Sequence, residues 1–239
     1  MPKRKPIRIS DRVKVVYDEK RWSLLKKLRE KALKIMSILE KEGIPTIIHG
    51  SVARGDVNEE SDIDIFIPLQ VSPYRVELTL DKAGFNIYLR EISQATPRHA
   101  IKGHIYLDEL TLVTFPITEL SHLEREFYKF GGELTLHDIL RERRVPGVDK
   151  RLMLIIPTNY GHEEMSIIGR EPEVARFLGI SIDIVKERVF ILTRRDEIGR
   201  TGVYIKRALA PDETFEGVLR ELAREYPILR KKLRGLTWL

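Results

Sequence analysis

The residues best suited to chemistry sit in one short stretch: Gly50-Ser51-Val52-Ala53-Arg54-Gly55, six residues, then Ser61-Asp62-Ile63-Asp64-Ile65. In a strand, successive side chains take opposite faces, so Asp62 and Asp64 point one way while Ile63, Ile65 and Ile67 point into a core. Two neighbouring carboxylates repel unless a cation neutralises them, and their hard oxygens select Mg²⁺ or Mn²⁺. Gly50-Ser51 follows an apolar run and precedes a short helix, which leaves backbone N–H groups and a hydroxyl facing a phosphate with no Cβ at Gly50 to block its approach. Arg54, about one helical turn on, can add a charge-assisted contact to the same phosphate. A phosphate cradle beside metal-binding carboxylates is equipment for in-line displacement on a nucleoside triphosphate. One ion holds the phosphates, a second lowers the pKa of the attacking hydroxyl, and both stabilise departing pyrophosphate.

This arrangement resembles the nucleotidyltransferase superfamily of DNA polymerase beta, in which a Gly-Ser turn is followed some ten residues later by Asp-x-Asp on the next strand. Gly50, Ser51, Arg54, Gly55, Asp62 and Asp64 all fall on that motif, and the resemblance covers roughly residues 20 to 117. It implies Asp62 and Asp64 as metal ligands, Gly50, Ser51 and Arg54 as nucleotide contacts with Lys102 as a further one, and transfer of a nucleoside monophosphate to an acceptor hydroxyl. The superfamily also places a third carboxylate, flanked by hydrophobic residues, on a neighbouring strand. Val76-Glu77-Leu78 has the local pattern but reads as helix. Asp108 continues the polar row Lys102, His104, Tyr106 and is the candidate for a catalytic role, with Glu109 beside it; Thr111 stands where an acid is expected on the following strand.

The elements that must hold these residues follow from periodicity. Leu24, Leu25, Leu28, Ala32, Ile35, Met36 and Leu39 recur at helical steps from about Asp18 to Glu42, where Gly43 and Pro45 end the pattern. Thr46 to His49 and Asp62 to Ile67 read as strands, Pro73 to Ala83 as a helix, and Phe85 to Ile92, His99 to Leu107 and Leu110 to Ile117 as strands, the last two a hairpin turning at Asp108-Glu109. This predicts an α/β (α+β) fold with a mixed sheet and helices. The expected organisation is a nucleotidyltransferase domain over 1–120, a helical connector over 121–150 and a helix-rich, winged-helix-like domain over 151–239.

That last domain is expected because Ala175, Gly179 and Val185 have helix-turn-helix spacing, with Ser181 placed as an N-cap and Asp183 in the first turn of the second helix. Arg188, Arg194 and Arg195 would then line the second helix as nucleic-acid contacts, and Gly199 to Arg207 would form a basic wing. The 239 residues carry 42 Lys+Arg against 36 Asp+Glu, a net +6, with clusters at Lys3, Arg4, Lys5 and Arg8 and at Arg230, Lys231, Lys232 and Arg234. Such clusters favour polyanions, so RNA or DNA is the expected acceptor. The first rival acceptor is protein, since antitoxin-type AMP-transferases of the superfamily resemble the same turn; the second rival is a DNA-binding regulator that keeps the nucleotide pocket as a sensor. With no cysteine there is no disulfide framework or thiolate centre. No apolar run approaches the roughly 20 residues a bilayer requires, and no secretory signal is evident, so a cytoplasmic protein without membrane partners is expected.

Overall fold

The computed structural model describes residues 5–7, 11–199 and 202–238. Lys3, Arg4 and Arg8 of the N-terminal basic cluster, and Arg200 and Thr201 of the expected wing, lie outside the described residues. The chain opens with β1 (Val13–Val16) and α1 (Glu19–Lys41), whose stripe of Leu25, Ala32, Ile35, Met36 and Leu39 is buried as the periodicity predicts. β2 (Ile47–His49), α2 (Ser51–Arg54) and β3 (Ile63–Phe66) follow, then α3 (Pro73–Lys82) with proline in its first turn. β4 (Leu89–Gln94), β5 (Lys102–Asp108) and β6 (Thr111–Pro116) complete the first half. Next come α4 (His122–Gly131), β7 (Glu133–Thr135), α5 (Leu136–Leu140), β8 (Gly147–Val148), β9 (Met153–Thr158) and β10 (Gly161–Ser166). The chain ends with α6 (Glu171–Leu178), α7 (Ile182–Ile198), β11 (Ile205–Ala208), α8 (Phe215–Glu225) and α9 (Pro227–Leu233). The architecture is mixed α/β, as expected.

Packing divides the chain into two units that interleave along the sequence, where three consecutive blocks are expected. One gathers the described residues of Met1–Leu33, Ile47–Ile63 and His122–Gly202; the other gathers those of Lys34–Thr46, Asp64–Ser121 and Val203–Leu239. The interleaving follows from the pairing of strands far apart in sequence. In the first unit, β1 runs antiparallel to β10 in a sheet ordered β1-β10-β9-β8, so residues 13–16 meet residues 161–164. β2 pairs antiparallel with β7 in the same unit, Ile48 opposite Leu134. In the second unit the strands run β11-β4-β5-β6-β3, with β4, β5 and β6 antiparallel and β5–β6 closed by the expected tight turn.

Of the segment expected as a basic wing over 199–207, the residues from Ile205 onward belong to β11. Ile205–Ala208 pairs antiparallel with β4, Lys206 opposite Ser93, so this segment extends the sheet of the second unit. Edge pairing satisfies the backbone groups of β11 that face β4, which a free wing would leave to solvent. Gly179 ends α6 in the left-handed region (φ 63°), and the Ser181 hydroxyl accepts the Asp183 N–H at the start of α7. Val174, Ala175, Ile184 and Val185 from the two helices bury into one apolar cluster with Phe130, Leu154 and Ile167. Among the described residues, no helix is long and apolar enough to cross a membrane.

Candidate active site

The Gly-Ser turn is built by buried scaffolding in the first unit. Gly50 has φ 84° and ψ −142°, a conformation open to glycine and strained for any other residue. Its N–H donates to the Gly132 carbonyl at 3.0 Å, which fixes the exit of β2. A Cβ on Gly50 would meet nothing within 4 Å, so the turn faces open space, as a cradle for an anion requires. Behind α2, the buried Arg29 guanidinium donates to the Val52 carbonyl (3.0–3.1 Å) and the Ala53 carbonyl (3.1 Å), satisfying the terminal acceptors of this short helix. Burial lowers the Arg29 pKa to about 10, still far above neutrality. The Ser51 hydroxyl lies 3.3 Å from that of Ser61, which in turn accepts the Asn58 N–H at 2.9 Å. The loop between turn and acidic strand is thus tied to itself just before Asp62.

Asp62 and Asp64 behave as the alternation demands. Ile63 and Ile65 are 1% exposed, whereas both aspartates are half-buried on the other face. Lys150 Nζ approaches Asp62 Oδ2 at 4.0 Å, with 48% of the Asp62 side chain still exposed. Sequence reasoning missed this lysine, and nothing local could have flagged it, since 88 residues separate it from Asp62. Two oxygen-donor carboxylates on one face, accessible and without a second fixed cation beside Asp62 among the described residues, fit a hard divalent ion completed by phosphate oxygens and water.

Three expected residues sit differently. Arg54 is turned inward with only 5% of its surface exposed, donating to the Gly131 carbonyl at 2.5 Å and to Asp56 Oδ2 at 2.9 Å. It braces the turn against the 131–132 backbone and does not present its charge to a phosphate at the surface. Asp108 Oδ1 accepts the Leu110 N–H at 3.0 Å, so the carboxylate shapes the hairpin turn. Arg188 stacks its guanidinium over the Phe127 ring at 4.9 Å, and burial lowers its pKa to about 10. Arg194 and Arg195, both nearly two turns further along α7, are exposed.

The polar row of β5 is realised in the second unit. Register places His104 opposite both Glu91 and Thr114, and Lys102 opposite Ser93. The His104 ring is held between the Ser93 hydroxyl (Nε2, 2.7 Å) and the Thr114 hydroxyl (Nδ1, 3.0 Å). Burial, with Lys102 and Lys206 adding to it, lowers its pKa to about 4, so the imidazole is neutral at physiological pH. Tyr106 is pushed above the usual phenol value by burial and then by the negative charges of Glu91 and Asp64. Glu91, buried and ion-paired to Lys206 at 3.3 Å, was not anticipated; its even spacing from Ser93 on β4 was the available signal.

Residues 24–110 match the family model described as "Nucleotidyltransferase domain"; no curated protein and no solved structure matches the chain. The matched stretch spans the Gly-Ser turn, the acidic strand and the row of β5. Over residues 24–110 the chain is thus similar to the nucleotidyltransferase domain family, consistent with the polymerase beta superfamily.

Proposed function

We propose that the protein transfers a nucleoside monophosphate from a nucleoside triphosphate to an acceptor hydroxyl, releasing pyrophosphate. The reading is carried by the placement of Asp62 and Asp64 on one accessible face of a buried strand inside the matched stretch. Backbone N–H groups at the open Gly50 turn and the Ser51 hydroxyl would receive the triphosphate, and Asp62 and Asp64 would hold Mg²⁺ or Mn²⁺. Bound there, a divalent ion supplies charge neutralisation for the phosphates and the leaving group. The acceptor oxygen bonds to the α-phosphorus, the bond from that phosphorus to the α–β bridging oxygen breaks, and the acceptor proton passes to solvent. Arg54 serves this reaction at one remove, by holding the turn.

For the acceptor we propose a nucleic acid, in the cytoplasm. The net charge of +6 and the exposed Arg194 and Arg195 at the end of α7 support a polyanionic partner. Incubation with each α-³²P-labelled triphosphate, Mg²⁺, and RNA, DNA or cell-extract protein locates the label. Label on nucleic acid that nuclease removes is expected. Label on protein that survives nuclease would replace the acceptor, and no label on any of them would overturn the transfer.

A further inference from the structure

A cavity of about 770 Å³ lies wholly within the first unit, between the N-terminal turns of α1, residues 56–59 and the sheet that carries β10. Most of its wall lies outside residues 24–110. Pockets that enclose a drug-sized ligand run to about 300–1,000 Å³. The acids of this wall are already answered. The Tyr17 hydroxyl lies 2.6 Å from Nδ1 of the buried His162, Glu164 accepts from Arg151, and Arg151 Nε donates to Asp149 Oδ2 at 2.6 Å. Arg54 neutralises Asp56 at 2.9 Å, and Asp18 caps α1 by accepting the Arg21 N–H at 2.8 Å. Lys20 and Glu59 pair at the rim, where 83% and 79% exposure leaves the pair weak. What remains is positive. Lys27 is exposed, with no acid in ion-pair reach among the described residues. The Arg21 guanidinium stacks over the Tyr17 ring at 4.0 Å, and its Nε is buried without an acceptor. Beside them Arg144 lies over Trp22, whose ring is 4.9 Å from that of Tyr17, and donates to the Gly161 carbonyl at 2.8 Å, which satisfies its N–H groups without cancelling its charge.

Cations without acids suit phosphate, and Leu24 and Val57 in the same wall offer apolar contact to a sugar or base. The cavity also borders the acidic strand. Asp149 and Arg151 line it, and Lys150 between them reaches Asp62 Oδ2 at 4.0 Å. We infer that this cavity seats the terminal nucleotide of a nucleic-acid acceptor, with its phosphate on Arg21 and Lys27 and its 3′-hydroxyl towards Asp62. The inference rests on the nucleotidyl-transfer reading and deepens it: the acceptor is the free end of a strand. The 3′-oxygen bonds to the α-phosphorus of the triphosphate, pyrophosphate leaves, and the hydroxyl proton passes to solvent.

The test reads binding, so it does not depend on turnover. A short single-stranded RNA with a 5′-fluorescein and a free 3′-hydroxyl is titrated with the full chain and followed by fluorescence anisotropy. Lys27→Glu and Arg21→Gln are each expected to weaken binding at least about 10-fold. Lys26→Glu, exposed on α1 but outside the cavity, makes the same change in net charge and is expected to cost less than about 3-fold. A closed circle of the same RNA, which has no end to seat, is expected to compete at least about 10-fold less well than the linear strand. Wild-type affinity in Lys27→Glu, an equal loss in Lys26→Glu, or equal competition by the circle would each overturn the inference and leave nucleotidyl transfer standing. Adenosine 5′-monophosphate competing as well as the linear strand would overturn it too, by assigning the cavity to a free nucleotide. If Arg21→Gln, which loses the stacking on Tyr17, fails to fold, Lys27→Glu decides. Absence of label on every acceptor in the incubation above would overturn the transfer reading, and the cavity's acceptor role with it.

Discussion

Arg54 separates what a motif suggests from what its atoms do. Its spacing from Ser51 was legible in the sequence; its direction was not, because that depends on Gly131, 77 residues away. The Arg54–Asp56 pair is 6% and 9% exposed, and removing one member leaves the other charged and buried. Arg54→Ala is therefore expected to lower the unfolding free energy by about 3–5 kcal/mol in urea denaturation. An unchanged midpoint with weakened triphosphate binding would return Arg54 to the phosphate. His104 gives a pH signature at the same scale. Its folded pKa of about 4 lies below the ordinary imidazole value of 6.5, so between these values the unfolded chain binds the extra proton. This contribution to stability is complete above about pH 6.5, falls as the pH drops, and levels off below about pH 4, a change of up to roughly 3 kcal/mol. His104→Gln, compared with wild type by denaturation from pH 4 to pH 7, should flatten that part of the profile; an unaltered slope would refute the assignment.

Among the elements, those with strong local patterns were legible. The stripe of α1, the Ile63-Ile65 alternation of β3, the β5–β6 hairpin and the Ser181 cap of α7 all follow from side-chain period or cap chemistry acting within a few residues. The strands that were not legible are short or polar, and distant partners make them strands. β10, Gly-His-Glu-Glu-Met-Ser, has almost no apolar alternation and exists because β1 and β9 flank it; β7 exists because of β2, and β11 because of β4. The Gly50 turn is the element on which phosphate binding depends. Gly50→Ala meets no steric obstacle, so its cost is backbone strain of about 1–3 kcal/mol, or a relaxed turn with its N–H groups re-aimed. Either loss of stability in denaturation or weaker triphosphate affinity in calorimetry is expected. An alanine variant equal to wild type in both would remove the turn from the account.

For the whole molecule, charge and chemistry occupy different parts of the chain. The basic surplus that suggests a polyanion is carried in part by α7, where Arg188 is consumed by packing and Arg194 and Arg195 are exposed. Arg194→Ala/Arg195→Ala is expected to weaken RNA or DNA binding and to reduce the slope of log affinity against log salt by up to about two, without altering the melting temperature. An identical slope would detach α7 from nucleic acid. Arg188→Ala is expected to act on stability instead, through the lost contact with Phe127. The acidic strand makes the strictest demand. Pyrophosphate released from a triphosphate in Mg²⁺ should fall by at least about 100-fold in Asp62→Asn and again in Asp64→Asn, with circular dichroism and melting unchanged. Release at the wild-type rate in either folded variant would contradict the claim that these two carboxylates carry the reaction.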